Sequence, residues 1–254
     1  MRKFLTLAAA AAAVLVSGAA QATPYLVLTL EATGFGAETR TCSTFSAATS
    51  ALCAANGFLV IAPDNIRYIA GTIGGFTGKI QGASSNVPGS AAEAFVDMSF
   101  EGLRNVSAGA LATFRLTGTA FGFTLPAGPG MTLFGSQANS SNGDPGSSMT
   151  SVYYANPSNV NPIGAGDSIS TSCTRILSTA DSCNAPMANW MRGAGDFSLA
   201  DQITFGLTQG SLGVNGSSNV IVRNRVPEPM TTALVGLGLF GAAFFSRRRK
   251  AVTA

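Results

Sequence analysis

Short runs of strand-forming residues, each broken by Gly, Pro, Asn or Ser, set the strongest limit on what this chain can fold into. In Ala112-Thr-Phe-Arg-Leu-Thr-Gly118, Phe114 and Leu116 fall on one face, and Thr113, Arg115 and Thr117 on the other, because successive side chains of an extended strand point to opposite sides. Comparable runs occur at 25–30, 57–61 (ended by Pro63), 65–71, 94–100, 119–125, 131–134, 151–154, 168–174, 202–208 and 219–225. Away from the two termini no stretch repeats at 3.6 residues, and only 43–55 reads as one short helix. Many short strands with regular turn signals predict an all-β domain, a single β-sandwich of jelly-roll-like type. The loops predicted most clearly are 81–90 (QGASSNVPGS) and 136–148 (SQANSSNGDPGSS). The paired stretches Gly164–Asp167 and Gly193–Asp196, both Gly-Ala-Gly-Asp, read as similar turns feeding strands.

The ends have a different character. Arg2 and Lys3 precede an apolar run from Phe4 to Val16, and Ala20-Gln21-Ala22 forms an A-x-A-like cleavage site. This is the layout of a secretory signal peptide, and it predicts a mature chain beginning at Thr23. At the other end, Met230 to Ser246 is a run without charge, near the short limit of what spans a bilayer. Arg247, Arg248, Arg249 and Lys250 follow as a basic stop on the cytoplasmic side. The expected organisation is a signal peptide at 1–22, an all-β extracytoplasmic domain at 23–225, and a terminal segment at 226–254 whose helix, residues 230–246, is a single transmembrane span.

With the termini set aside, the whole-chain charge of +3 disappears: residues 23–226 carry nine basic against eleven acidic residues. The basic balance belongs to the targeting segments and does not indicate nucleic-acid binding, which needs Lys and Arg clustered on one face. Export makes disulfides the default use of Cys42, Cys53, Cys173 and Cys183. Of three possible pairings, Cys42–Cys53 with Cys173–Cys183 is the most economical. A zinc site lacks the C-x₂-C spacing and any histidine.

The chain contains no histidine, which removes the usual Ser-His-Asp and Cys-His catalysis and histidine-ligated metals. The glycine-rich stretch before Lys79 departs from a phosphate loop in its spacing, and Ile80 stands where Ser or Thr would be required. Glu93, Asp97 and Glu101, four residues apart on one face of a strand, are the candidates for a carboxylate-based glycan-active enzyme; solvated surface acids are the plainer reading. Asn142–Gly146 resembles a fragment of a calcium loop but lacks its acids. Asn105, Asn139 and Asn215 begin N-x-S sequons. No cofactor and no catalytic motif are expected.

The tail VPEPMTTALVGLGLFGAAFFSRRRK contains a formal G-x-G-x-x-G at Gly236, Gly238 and Gly241. Too little chain follows it for a dinucleotide-binding βαβ unit, and no acid does. The order Val226, Pro227, Glu228, Pro229, then a short Gly-rich apolar run and the Arg247–Lys250 cluster resembles the PEP-CTERM sorting signal. That resemblance implies recognition by exosortase, a membrane protease-transpeptidase of Gram-negative bacteria that make exopolysaccharide. It implies a membrane-anchored precursor, then a place at the cell surface or in the extracellular matrix. Pro227 and Pro229 lack N–H donors and fix φ, so Glu228 would be displayed in an extended strip. The expectation is a non-enzymatic exported surface or matrix protein with polysaccharide as a partner. The alternatives are a carboxylate-based glycan enzyme, or a sugar- or calcium-binding module.

Overall fold

The computed structural model describes residues 25–33, 36–107, 111–139, 146–210 and 212–225. The signal peptide, its cleavage residues Ala20, Ala22 and Thr23, the motif Val226–Pro229, the helix predicted at 230–246 and the basic stop all lie outside them. The chain divides into two units, Met1–Asn224 and Arg225–Ala254, and of the second only Arg225 is described.

In the first unit the strands are β1 (Tyr25–Thr33), β2 (Glu38–Ser43), β3 (Phe58–Ala62), β4 (Asn65–Tyr68), β5 (Thr72–Ile73), β6 (Phe76–Ser85), β7 (Glu93–Asn105), β8 (Leu111–Phe123), β9 (Gly130–Asn139), β10 (Ser148–Asn156), β11 (Ile169–Ile176), β12 (Asp181–Asn184), β13 (Ala188–Met191), β14 (Phe197–Thr208) and β15 (Val214–Asn224), with one helix, α1 (Ala47–Ala55). They form two antiparallel sheets. One has six strands in the order β11-β10-β14-β8-β1-β2. The other has nine, in the order β12-β9-β15-β7-β6-β4-β3, with β13 also on β9 and β5 on β6. The fold is an all-β sandwich, as the alternating runs predict.

Strict alternation builds the core. In β7 the buried Ala94, Val96, Met98 and Phe100 point inward, while Phe95, Asp97 and Ser99 point outward. In β8, Phe114 and Leu116 are buried and Arg115 and Thr117 are not. Aromatic rings join the two sheets: Phe100 of β7 meets Phe205 of β14 edge to face at 4.8 Å, and Phe76 of β6 meets Phe114 of β8 at 5.3 Å. Each such buried ring contributes on the order of 1.5–3 kcal/mol through burial, and the paired geometry adds about 0.5–1.5 kcal/mol.

One part of the interior is polar. Ser151 donates to Gln137 Oε1 at 2.5 Å, and the Ser218 hydroxyl lies 3.3 Å from Ser151 Oγ and 3.4 Å from the Tyr153 hydroxyl. The Tyr153 ring packs directly on Gly135, where any Cβ would come within 1.9 Å of it, so β9 needs glycine there. Beside this cluster Asp201 is fully buried, and neither carboxylate oxygen has a hydrogen-bond partner among the described residues.

Both expected disulfides are present: Cys42–Cys53 ties β2 to α1, and Cys173–Cys183 ties β11 to β12. The helix begins at a capping box, in which Ser46 Oγ accepts from Thr49 N at 3.2 Å and Thr49 Oγ1 accepts from Ser46 N at 2.9 Å. Two expectations need correction. Residues 81–85 of the predicted loop 81–90 belong to β6, and 136–139 of the predicted loop 136–148 belong to β9. In both segments the outward residues are small and polar, several inward ones, Ser85, Gln137 and Asn139, are polar as well, and composition alone does not separate that from a loop.

Two outcomes follow. Replacing Cys42 and Cys53 by Ala frees an 11-residue separation and is expected to cost about 2–4 kcal/mol, read as a fall in Tm. Burial holds the Asp201 carboxyl well above the usual carboxylate range, the nearby Ser218 hydroxyl opposes this, and the Asp97 charge adds to it. Because the folded pKa is the higher one, this group's stabilisation is present below the pKa of the unfolded chain and is lost as pH rises through the raised folded value. Urea midpoints are expected to fall with rising pH over that interval. Asp201→Asn should flatten the fall, and an unchanged slope would contradict the assignment.

Candidate functional site

The outer face of the nine-stranded sheet carries a row of polar side chains running across its strands. The register places Asn184 opposite Ser136, Ser136 opposite Asn219, Asn219 opposite Asp97, Asp97 opposite Ser84, and Ser84 opposite Asn65. Six consecutive strands thus each present one small polar group at the same level. At about 4.8 Å between strands the row spans about 24 Å. Local sequence makes this possible. β6 bulges between Ile80 and Gly82, which turns Gln81 and Ser84 to the same side. Gly82, with φ +122, lets the backbone of β4 close in, since a Cβ there would stand 1.9 Å from the Ile66 carbonyl oxygen.

The row forms the floor of a cleft of about 460 Å³, within the size range of ligand sites. Along one side, offset by two residues in each of β9, β15 and β7, Phe134, Ile221 and Phe95 lie opposite one another as an apolar ridge, and the Arg223 guanidinium sits 5.7 Å from the Phe134 ring centre. At the β4 end Arg67 is exposed and makes no ion pair among the described residues.

Hydrogen bonding organises the floor. Ser136 Oγ donates to Asn219 Oδ1 at 2.7 Å, which leaves the Asn219 amide hydrogens for the Asp97 carboxylate. Partial burial raises the Asp97 pKa, the Asn219 hydrogen bond opposes this, and the Glu93 charge adds to it. Asp97 is therefore a half-buried carboxyl that accepts hydrogen bonds at the centre of the floor.

Glu93, Asp97 and Glu101 do share one face of β7. Glu93 is held by Arg223 at 2.8 Å and Glu101 accepts from Gln81 at 3.0 Å. Four residues along a strand is about 13 Å, longer than the ~5–9.5 Å that separates the carboxyl groups of glycosidases. The stretch before Lys79 is the β5–β6 hairpin, with Gly74 and Gly75 at positive φ in its turn. Two of the three sequons are closed to modification in the folded domain: Asn105 and Asn139 are buried. Asn215 accepts from Gly102 N at 2.5 Å. Residues 140–145, which include most of the calcium-loop fragment, lie outside the described residues. Among the described residues no cluster of three metal-ligating side chains occurs, and no helix is long and apolar enough to cross a membrane.

Residues 225–250 match the model of the PEP-CTERM protein-sorting motif. The chain carries a PEP-CTERM sorting motif. The PEP-CTERM segment starts at Arg225, directly after β15 ends at Asn224, and encloses Val226–Pro229 and Arg247–Lys250. The sandwich itself lies outside that match. No curated protein matches the sequence. Solved structures similar to the domain include the carbohydrate-binding module TmCBM61 in complex with β-1,4-galactotriose, at 13% identity, covering 61% of this chain and 92% of that one with a TM-score of 0.26. A family 11 carbohydrate-binding module from Clostridium thermocellum, in complex with a β-1,3-1,4-mixed-linked tetrasaccharide, is 12% identical over 62% of this chain and 93% of that one, with a TM-score of 0.23. At such distance these likenesses assign nothing to this chain, and the fold and site rest on its own strand pairing and side chains.

Proposed function

We propose that the protein is a non-enzymatic component of the cell surface or extracellular matrix of a Gram-negative bacterium, and that the cleft across its nine-stranded sheet docks a polysaccharide chain. The observation that carries the reading is the polar row from Asn184 to Asn65. Amide, hydroxyl and carboxyl groups repeat once per strand, a spacing close to one sugar unit of an extended glycan. Such a chain would lie across the strands, exchange hydrogen bonds with the floor, and lay its less polar edge against Phe95 and Phe134. The sorting motif supports the location, since exosortase processing would deliver the sandwich among polysaccharides. The Glu93–Asp97–Glu101 spacing supports docking over hydrolysis.

Two measurements test this. In native electrophoresis through gels containing dextran, galactan or mixed-linked β-glucan, the protein purified from its host should be retarded by at least one polymer. Asn219→Ala should weaken that retardation about five- to tenfold, the loss of one or two hydrogen bonds. Equal retardation of wild type and variant would place binding elsewhere. For sorting, Glu228→Ala is expected to leave full-length protein in the membrane fraction, and normal release of that variant would overturn exosortase processing.

A further inference from the structure

The opposite face of the sandwich holds a second groove with a different lining. It lies over the six-stranded sheet, has a volume of about 340 Å³, and is lined by Tyr25, Phe121, Thr117, Thr119, Gln202 and Asn161, among others. Tyr25 and Phe121 stand opposite each other on β1 and β8, with rings stacked at 4.4 Å, and the exposed Phe45 meets Tyr25 edge-on at 4.9 Å. The aromatic cluster therefore sits at one end of the groove, and the rest mixes hydroxyls and amides with the apolar Val27 and Ile163 and the charged Glu31 and Arg115.

The segment 157–168 contributes Asn161 and Ile163 to the lining of the groove, and the fold pins it in place. Asn156, itself fully buried, donates to Asp167 Oδ1 at 2.6 Å, and Ser158 donates to Asp167 Oδ2 at 2.7 Å. Asn159 Oδ1 accepts from Gly122 N at 2.8 Å, and buried Ser198 donates to the Val160 carbonyl at 2.5 Å. These bonds anchor the loop on β8, β10 and β14, so Asn161 and Ile163 are presented without a separate ordering step on binding. The groove's charges, Glu31 and Arg115, are paired at 2.9 Å and leave it without net charge.

We infer that this groove is a second saccharide site, taking neutral pyranose units: their C–H faces meet the aromatic cluster, and their hydroxyls meet Thr117, Thr119, Gln202 and Asn161. The inference rests on the polysaccharide reading of the first cleft and deepens it. With sites on opposite faces, one molecule joins two polysaccharide chains and acts as a cross-linker.

Light scattering of mixtures of the purified protein with dextran, galactan or mixed-linked β-glucan, read beside gel retardation, tests it. Wild type should raise scattering with the polymer that retards it, and the rise should reach a maximum and then fall as protein is added in excess. Phe45→Ala and Thr117→Val both change outward-facing residues. Together they should abolish the rise in scattering and weaken retardation about five- to tenfold, while leaving retardation through the first cleft. Circular dichroism confirms that they fold. If this double variant scatters and is retarded as wild type, the second site is wrong and the first cleft stands. If Asn219→Ala changes nothing and the double variant loses all retardation, the six-stranded face is the only site, and cross-linking is wrong. If no polymer retards wild type, both readings fall.

Discussion

Phe100 and Phe205 meet edge to face between the two sheets, and around them most inward positions of both sheets are apolar. Packing one sheet on the other fixes which side of each strand is inside. Since the side-chain period is two, it also fixes the outside, and a slip of one residue would bury Asp97 and expose Phe100. The outer rows, including the line from Asn184 to Asn65, are thus by-products of core packing. No side chain in that line could be moved to a neighbouring level without unpacking the interior behind it.

The interior is not uniformly apolar. Gln137, Ser151, Tyr153 and Ser218 share hydrogen bonds, whereas Asp201 is buried without one. A polar group buried without a partner costs roughly 1–3 kcal/mol, and a charged one costs more, so the protonated form is the one the core accommodates. This cluster lies directly behind the candidate cleft, since Ser218 and Asn219 are neighbours on opposite faces of β15. The polar part of the interior therefore lies behind the part of the nine-stranded sheet that carries the candidate cleft.

Much of the fold was legible because alternation is a local signal. The run Ala112–Gly118 and the helix before Gly57 both express their structure within a few residues. The local cysteine pairing followed from proximity in sequence. The site was not legible in the same way. Asn65, Ser84, Asp97, Ser136, Asn184 and Asn219 come from separate strands, and only the register brings them to one level. Gln81–Ser85 and Ser136–Asn139 have the composition of a turn although they are central strands, because polar residues there face inward (Ser85, Gln137, Asn139) as well as outward. Pinning of the segment 157–168 depends on Asn156, Asn159 and Asp167 reaching partners that no sequence period reveals.

The two disulfides have a consequence for how such a domain matures. Their cysteines are separated by 11 and 10 residues. In a chain exported N-terminus first, Cys42 and Cys53 emerge together long before Cys173, so they can pair before a competing thiol is available, and Cys173 and Cys183 then meet with the first pair already closed. Oxidation can then proceed segment by segment, ahead of the long-range strand pairing that joins β1 to β8 and β7 to β15. The order of the cysteines along the chain works as a timetable, and it spares the sandwich from needing a correctly folded core before its covalent links can form.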